Sequence, residues 1–548
     1  MSDDVRHYIQ RGAQLRSKRG NWETQWEESA RRVIPEHSGS FFSRQTHNLN
    51  GSEGQKKTQD AYDSTAIIAN QRFSAVIESL ITPQNSFWAH LRPADKMLKN
   101  NRQARKFYEE FNEALFRYRY RPVANFVGNS QQSYASIGAY GNGILFVDQP
   151  DDSPGLRYKN IHLGEIYFVP NHAGVIDTAY RFFRMSVNQM VEKFANVPES
   201  VRSKNANPSQ MEEELEIMHI VEPRRDYDPN RMDHVGMRFK SCYVFVPEQV
   251  KLQEGGFRTF PYPIARYTQA PNEIYGRGPT QMVLPSIKVI NQEKKDTLIQ
   301  GQRTLSPVLL SHDDGNLGGF SMKSGALNAG GLNKDGKRMV DTLPTGNLAA
   351  GFELMEMEAK TINDAFLITL FQILLDSPQM TATEVLERAR EKGMLVAPTA
   401  GRLQAEFLGR LIEREVDLLA QQGLVPELPP ILQDPEAMLY TIEYNSPMSR
   451  MREAEKASGF MRSLSMTLEH VQATGDASPL DWFDFDVAVP AIQQINGAPV
   501  EWTRAEEAVE EIRAGRAEKE AQQQAIDALP AVAGMAKSGA APGQESPE

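Results

Sequence analysis

At 548 residues, 40% of them hydrophobic, the chain is long enough for several modules or one large protomer with substantial cores. A mean hydropathy of −0.49 and a longest apolar run, Ile362–Leu375, broken by Asn363 and Asp364, exclude a bilayer-spanning helix of roughly 20 apolar residues. The formal charge of −11 argues against a broad basic DNA-gripping surface without excluding DNA contact, and the single cysteine, Cys242, excludes an intrachain disulfide or a Cys-rich zinc site.

The first residues, Met-Ser-Asp-Asp-Val-Arg, carry no basic-then-apolar signal pattern, so a soluble protein made in the cytoplasm is expected. Trp22–Val33 reads as a helix closed by Pro35, followed by a polar loop from Glu36 to Thr58. Asp63 or Ser64 can cap the next helix, where Phe73, Val76, Ile77, Leu80 and Ile81 recur at helical spacing before Thr82-Pro83. Helices over Arg102–Tyr118 and Val123–Tyr140 follow, the latter running into Gly138, Gly141 and Gly143. The period then changes. Ile144–Asp148, Glu165–Val169, Val175–Phe183, Leu215–Val221, Cys242–Val246 and Phe257–Tyr267 predict short strands, with Cys242 a buried thiol. This α+β section lacks the βαβ alternation of a nucleotide-binding sheet.

After Pro279 the pattern returns to helix. Pro285–Arg303 would be about 28 Å long at a rise of 1.5 Å per residue, and Phe352–Leu375 becomes apolar on most sides after Phe366, as a buried helix does. Between them, Ser311–Gly351 holds 9 glycines in 41 residues, so a projecting subdomain is expected, because structureless loops of that length are uncommon inside domains. Asp376–Thr381 forms a short break. Thr381 and Glu384 then suit a capping box for a helix over Ala382–Lys392. Arg402–Gln422 continues with Leu403, Phe407, Leu411 and Leu418 on one side, and with Glu406 and Arg410 as an expected exposed i,i+4 pair. Pro447–Thr474 and the stretch from Ala505 are helical in pattern, and the Ala-, Gln- and Gly-rich tail suits disorder.

Enzyme signatures are weak throughout. Gly331-Leu-Asn-Lys-Asp-Gly336-Lys337 has P-loop spacing, but Arg338 replaces the Mg²⁺-binding Ser/Thr and no apolar strand precedes it, so a turn is the better reading. Gly138–Gly143 follows a helix and precedes a strand, the reverse of a dinucleotide fold, and suits a helix C-cap. The histidines lack ligand spacing. Asp151-Asp152 and Asp313-Asp314 sit in turns where Asp is ordinary, so neither metal nor cofactor is expected. Lys288, Lys294, Lys295 and Arg303 lie on or just past the first long helix. They read as a solvated face, or as phosphate contacts if that helix lines a central hole. Tyr275-Gly-Arg-Gly-Pro279 reads as a turn before that helix.

In order and spacing, Tyr62-Asp-Ser-Thr-Ala through Phe87-Trp88, Gly138–Val147, Ile274–Pro279, Met380–Val385 with Gly401–Phe407, Tyr444-Asn-Ser-Pro447, and Glu501–Glu507 running into Arg513–Lys519 resemble the podovirus head-to-tail connector (portal) family over nearly the whole chain. The resemblance implies an α+β, mainly helical portal fold with wing, stem, clip and crown, assembled as a ring, usually of twelve subunits. By position it implies a wing over 1–269, stem helix 1 over 270–303, a clip over 304–351 and stem helix 2 over 352–375. A tunnel loop over 376–381, a long wing-helix region over 382–445, a crown over 446–530 and a disordered tail over 531–548 would complete the chain. The implied role is a structural conduit for DNA packaging and ejection, with no catalysis. Candidate channel residues are Lys288, Lys294, Lys295, Arg303, Asp376, Ser377, Gln379 and Met380. Candidate partner-binding residues of the clip are Asp313, Asp314, Lys334, Lys337 and Arg338. Implied partners are further copies of the chain, terminase, tail adaptor proteins, the major capsid protein, scaffolding protein and passing double-stranded DNA, with no membrane. The implied location is the portal vertex of the virion after assembly in the host cytoplasm. Ser446-Pro-Met-Ser449 and the interruption at Gly393–Gly401 depart from the family pattern. The competing readings are a terminase-like motor, which would need a true P-loop and acidic metal ligands, and a helical scaffolding or internal virion protein.

Overall fold

The computed structural model describes residues 3–41, 54, 56–95, 97–99, 101–306, 309–311, 321, 323, 326–327, 331–332, 335–342, 348–369, 400–433, 439–444, 447–495, 508–509, 511–516 and 518–519. They form two units, Met1–Trp88 with Glu113–Val425, and Ala89–Asn112 with Pro426–Glu548. The architecture is α+β, with helix predominating over strand.

Helices α1 (Asp3–Lys18) and α2 (Gly20–Val33) open the chain, and Pro35 starts a short 3-10 turn. Helix α3 (Thr65–Ile81) begins where the Asp63 carboxylate accepts the Thr65 N–H at 2.9 Å, satisfying one orphan donor, and it stops at Thr82-Pro83. Strand β1 (Ala89–Pro93) and helix α4 (Arg102–Arg119) come next. Helix α5 (Phe126–Tyr140) ends at Gly141, whose φ of 76° is the left-handed C-terminal conformation that glycine adopts without strain.

Two antiparallel sheets follow. Strands β2 (Asn142–Asp148) and β3 (Arg157–Asn160) join the later β9 (Ile264–Arg266) in the order β3-β2-β9. The larger sheet is a meander of β4 (Ile166–Pro170), β5 (Ile176–Ser186), β6 (Glu214–Pro223), β7 (Phe239–Phe245) and β8 (Val250–Phe257). Because side chains alternate along a strand, its two faces build separate cores. Tyr167, Tyr180, Phe182, Met218, Ile220, Cys242 and Val244 cluster with Val5 and Tyr8 of α1. Ile217, Leu215, Phe245 and Leu252 cluster instead with residues of α6 (Val187–Lys193) and α7 (Glu199–Asn205). Gly12 of α1 is required by that closeness, since a Cβ there would sit 2.7 Å from the Phe182 ring.

The predicted single strand over Phe257–Tyr267 is two strands, because Phe260-Pro-Tyr-Pro263 interrupts the ladder where proline has no N–H to donate. The first long helix, α8, spans Pro279–Leu305, so the stretch from 270 to 278 assigned to a stem helix is a loop closed by a Thr268–Arg277 bridge. Strands β10 (Leu309–Ser311) and β11 (Val340–Thr342) pair at the base of the insert. Helix α9 (Leu348–Ala365) ends sooner than its apolar pattern suggested, with Leu367 at a φ of 61°. Phe366 and Ile368 are nevertheless buried, as expected. A π-helical turn over Gln404–Leu408 leads into α10 (Gly409–Gln421). The expected exposed Glu406–Arg410 pair does not form. Glu406 is drawn to Arg266 instead and Arg410 to Glu413, because the longer-range guanidinium offers a bidentate grip.

In the other unit, β1 pairs with β12 (Tyr440–Tyr444) in the register Ala89↔Tyr444. The Asn112 side chain holds Leu91 through both its N–H (2.8 Å) and its C=O (3.1 Å). Helix α11 (Pro447–Thr474) matches its predicted bounds, and α12 (Phe485–Ile495) follows a turn that seats Phe483 against Phe460.

Candidate functional site

The hairpin of α8 and α9 carries most of the described candidate residues, so what fixes it in place comes first. Two glycine-rich segments more than 130 residues apart interlock at its root. Asn142 donates to the Gly276 carbonyl (3.1 Å) and accepts the Gly276 N–H (2.8 Å). Thr280 donates to the Gly138 carbonyl (2.8 Å), and Gln281 donates to Ala139 (3.0 Å) while accepting the Gly278 N–H (2.7 Å). The backbones approach so closely that a Cβ on Gly141 would lie 2.5 Å from the Gly276 oxygen, and one on Gly278 2.5 Å from the Ile137 oxygen. Both segments read in sequence as separate turns; together they form the socket of α8.

Along α8, Pro285 and the non-helical backbone of Val283 mark a kink. Further on, Asn291 clamps a loop by accepting the N–H groups of Tyr62 (2.8 Å) and Asp63 (3.2 Å) and donating to Asp60 (3.1 Å). Burial, with a smaller contribution from Glu358 on α9, raises the Glu293 carboxyl above its ordinary range. Just past the end of α9, Phe366 meets Phe73 of α3 edge-on.

Among the basic candidates, Lys288 pairs with Glu28 at 2.5 Å and Lys295 lies 5.3 Å from the centroid of the Tyr62 ring, so one faces α2 and the other the loop before α3 of the same chain. Lys294 is half-buried and Arg303 is exposed. At 100° per residue, Lys288, Lys295 and Arg303 share one side of the helix and Lys294 lies on another. Lys337 and Arg338 are exposed at the insert, where a Leu332–Arg338 bridge closes the near-P-loop segment into a turn. Among the described residues the segment leads into β11 and not into the helix that a phosphate cradle needs. Asp313, Asp314, Lys334, Asp376, Ser377, Gln379 and Met380 lie outside the described residues. Asp151 is held by Arg157 at 2.9 Å.

Several decisive polar groups were not anticipated. Glu415 accepts from Arg119 Nε (3.0 Å) and from the Tyr158 hydroxyl (2.5 Å), while the Arg119 guanidinium lies 4.4 Å from the Trp88 ring centroid. Both charged side chains are sealed, at 2% and 0% exposure. Arg19 is equally buried, donating to the carbonyls of Leu163, Gly164 and Ile166 and to Glu23. Its signal was legible in part, because Glu23 and Glu27 fall on the same helical face as Trp26, Ala30 and Val33, a poor place for unpartnered charge. His219 links Tyr262 (2.7 Å) to Ser241 (2.9 Å) in a chain that superficially has the polarity of a Ser–His pair. All three are buried, however, so the serine meets no substrate-sized space, and burial beside Arg181 and Lys193 holds the imidazole well below its ordinary pKa.

Residues 5–502 match the family model described as bacteriophage head to tail connecting protein. The portal protein of Salmonella phage epsilon15 is 27% identical over 533 residues, covering 94% of this chain and 91% of that protein. The probable portal protein of Bordetella phage BPP-1 is 25% identical over 493 residues, covering 87% and 85% respectively. A chain of a solved structure described as "Neck of native GTA particle computed with C12 symmetry" overlaps 73% of this chain and 86% of its own at 12% identity. Its TM-score of 0.34 is too slight an overlap to assign a fold. With the family match running almost from end to end, and the connector motifs Gly138–Val147 and Ile274–Pro279 interlocked at the base of α8, the chain belongs to the bacteriophage head-to-tail connecting (portal) protein family.

Proposed function

We propose that copies of this chain form a ring of twelve at one capsid vertex, which serves as the conduit for DNA packaging and ejection and as the platform for terminase and tail adaptor proteins. The observation that carries this reading is the match to the connector family over residues 5–502. The α8–α9 hairpin supports it. Leu298 and Leu305 on α8, and Phe352 and Met357 on α9, are large apolar side chains left exposed in the single chain. Exposed apolar surface shared by two helices is what a contact with neighbouring copies would cover.

On this reading α8 and α9 are the stem, the insert from 304 to 351 is the clip, residues 376–381 form the loop nearest the DNA, and 446–530 form the crown. Lys294 then becomes the better channel candidate on α8, since Glu28 already partners Lys288 on the side of the helix that Lys295 and Arg303 share. The remaining proposed contacts are Asp376, Ser377, Gln379 and Met380 toward DNA, and Asp313, Asp314, Lys334, Lys337 and Arg338 toward clip partners.

Negative-stain imaging with light scattering of the purified protein tests the assembly, with rings around a central hole expected. A monodisperse monomer at every concentration would overturn it. Gln379→Gly with Met380→Gly should preserve rings but impair genome retention, and deletion of 317–337 should abolish terminase or adaptor binding. Normal retention in the first variant, or normal binding in the second, refutes the role assigned to that segment.

A further inference from the structure

A charged cleft of about 190 Å³ opens between α1 and the ends of β6 and β7, away from the α8–α9 hairpin. Its walls carry the basic side chains Arg11, Arg224, Arg225 and Lys240 against the carboxylates Asp4, Glu222 and Asp226, with His7 and Tyr8 of α1 between Asp4 and Arg11 in sequence. The ionic pairing there is uneven. Glu222 is occupied by Arg11 (3.5 Å) and the Tyr180 hydroxyl (3.3 Å). The single carboxylate of Glu254 is shared by Arg224 (3.7 Å), Lys240 (3.5 Å) and Lys251 (2.7 Å). Asp226, 3.7 Å from Arg224, is mostly exposed.

Arg224 is the unusual member. Its side chain is 1% exposed and one Nη donates to the Gly255 carbonyl at 2.9 Å, yet its Nε finds no acceptor in the described chain. A buried guanidinium donor without an acceptor is costly and rare. The next residue, Arg225, is exposed on the same wall and has no ion pair or hydrogen bond among the described residues. The free guanidinium of Arg225, next in the chain to a buried arginine with one unsatisfied donor, suits one ligand class, an oxyanion that accepts charge-assisted hydrogen bonds.

We propose that this cleft is an oxyanion-binding site in which the exposed Arg225 grips the ligand while the buried Arg224 and Lys240 supply further positive charge. The oxyanion is either free phosphate or the carboxylate of an acidic peptide segment, and the site is independent of the channel function.

The test is calorimetric titration of the intact assembled protein with inorganic phosphate at constant ionic strength, and separately with a hexaglutamate peptide. Saturable binding of one ligand per chain is expected, weakened at least tenfold by Arg225→Gln, which removes an exposed and unpaired side chain. Lys204→Gln, at a surface ion pair on α7, is the control and leaves binding unchanged. Phosphate binding without peptide binding assigns the site to the free ion, and tighter peptide binding assigns it to an acidic partner. Absence of saturable binding by both, or an Arg225→Gln effect no larger than that of Lys204→Gln, overturns the proposal.

Discussion

Replacing Arg119 by Met removes the partner of a carboxylate that has no other ion pair among the described residues. Glu415 is fully buried, and after the change only the Tyr158 hydroxyl remains of the contacts that hold it. Breaking a buried ion pair from one side costs roughly 3–5 kcal/mol, because the surviving charge stays desolvated. Removing both charges costs far less, since apolar side chains of similar volume replace such pairs with little net loss. The single variant should therefore open locally much more often, and Arg119→Met with Glu415→Leu should recover most of the loss. Hydrogen exchange read by mass spectrometry on peptides covering 113–119, 157–160 and 409–421 measures this directly. At about 1.36 kcal/mol per factor of ten, the single variant should exchange roughly two to four powers of ten faster there. The double variant should lie close to the parent. A single variant that exchanges like the parent, or a double variant as labile as the single, would refute the buried-pair argument.

Other consequences follow from the same reasoning. His219 is buried as the neutral imidazole while the unfolded chain takes up a proton below its ordinary pKa of about 6.5, so this residue's contribution to stability is complete above that pH and declines as the pH falls. Melting temperature measured from pH 7.5 to 5 should fall on the acid side, and His219→Gln should flatten the slope; His37, also lowered chiefly by burial, adds a smaller effect of the same sign. Gly141→Ala places a Cβ 2.5 Å from backbone atoms of Gly276–Gly278 at a φ of 76°, so it should leave little soluble protein, whereas Gly401→Ala, where nothing lies within 4 Å, should express normally. Burial raises the Cys242 thiol to about 12, so a disulfide reagent at pH 8 should label it only after denaturation; rapid labelling of the native protein would contradict its placement beneath α1.

Local patterns in the sequence determined most of the elements. Helical spacing located α3 and α11, alternation located β5 to β7, and glycine or proline punctuation located the ends of α3 and α5, because each depends on neighbours within a few residues. The connector motifs likewise carried the family. Tertiary structure alone decided where charge is buried. Arg119 meets Glu415 across 296 positions and Arg266 meets Glu406 across 140, whereas sequence favoured a local pair of Glu406 with Arg410 on an exposed helix face. It also decided that Lys288 serves Glu28 and that Gly141 and Gly276 are two halves of one socket. The physical reason is range: backbone preferences act over one or two turns, while desolvation forces a buried charge to find whichever partner the fold brings near, however distant in the chain.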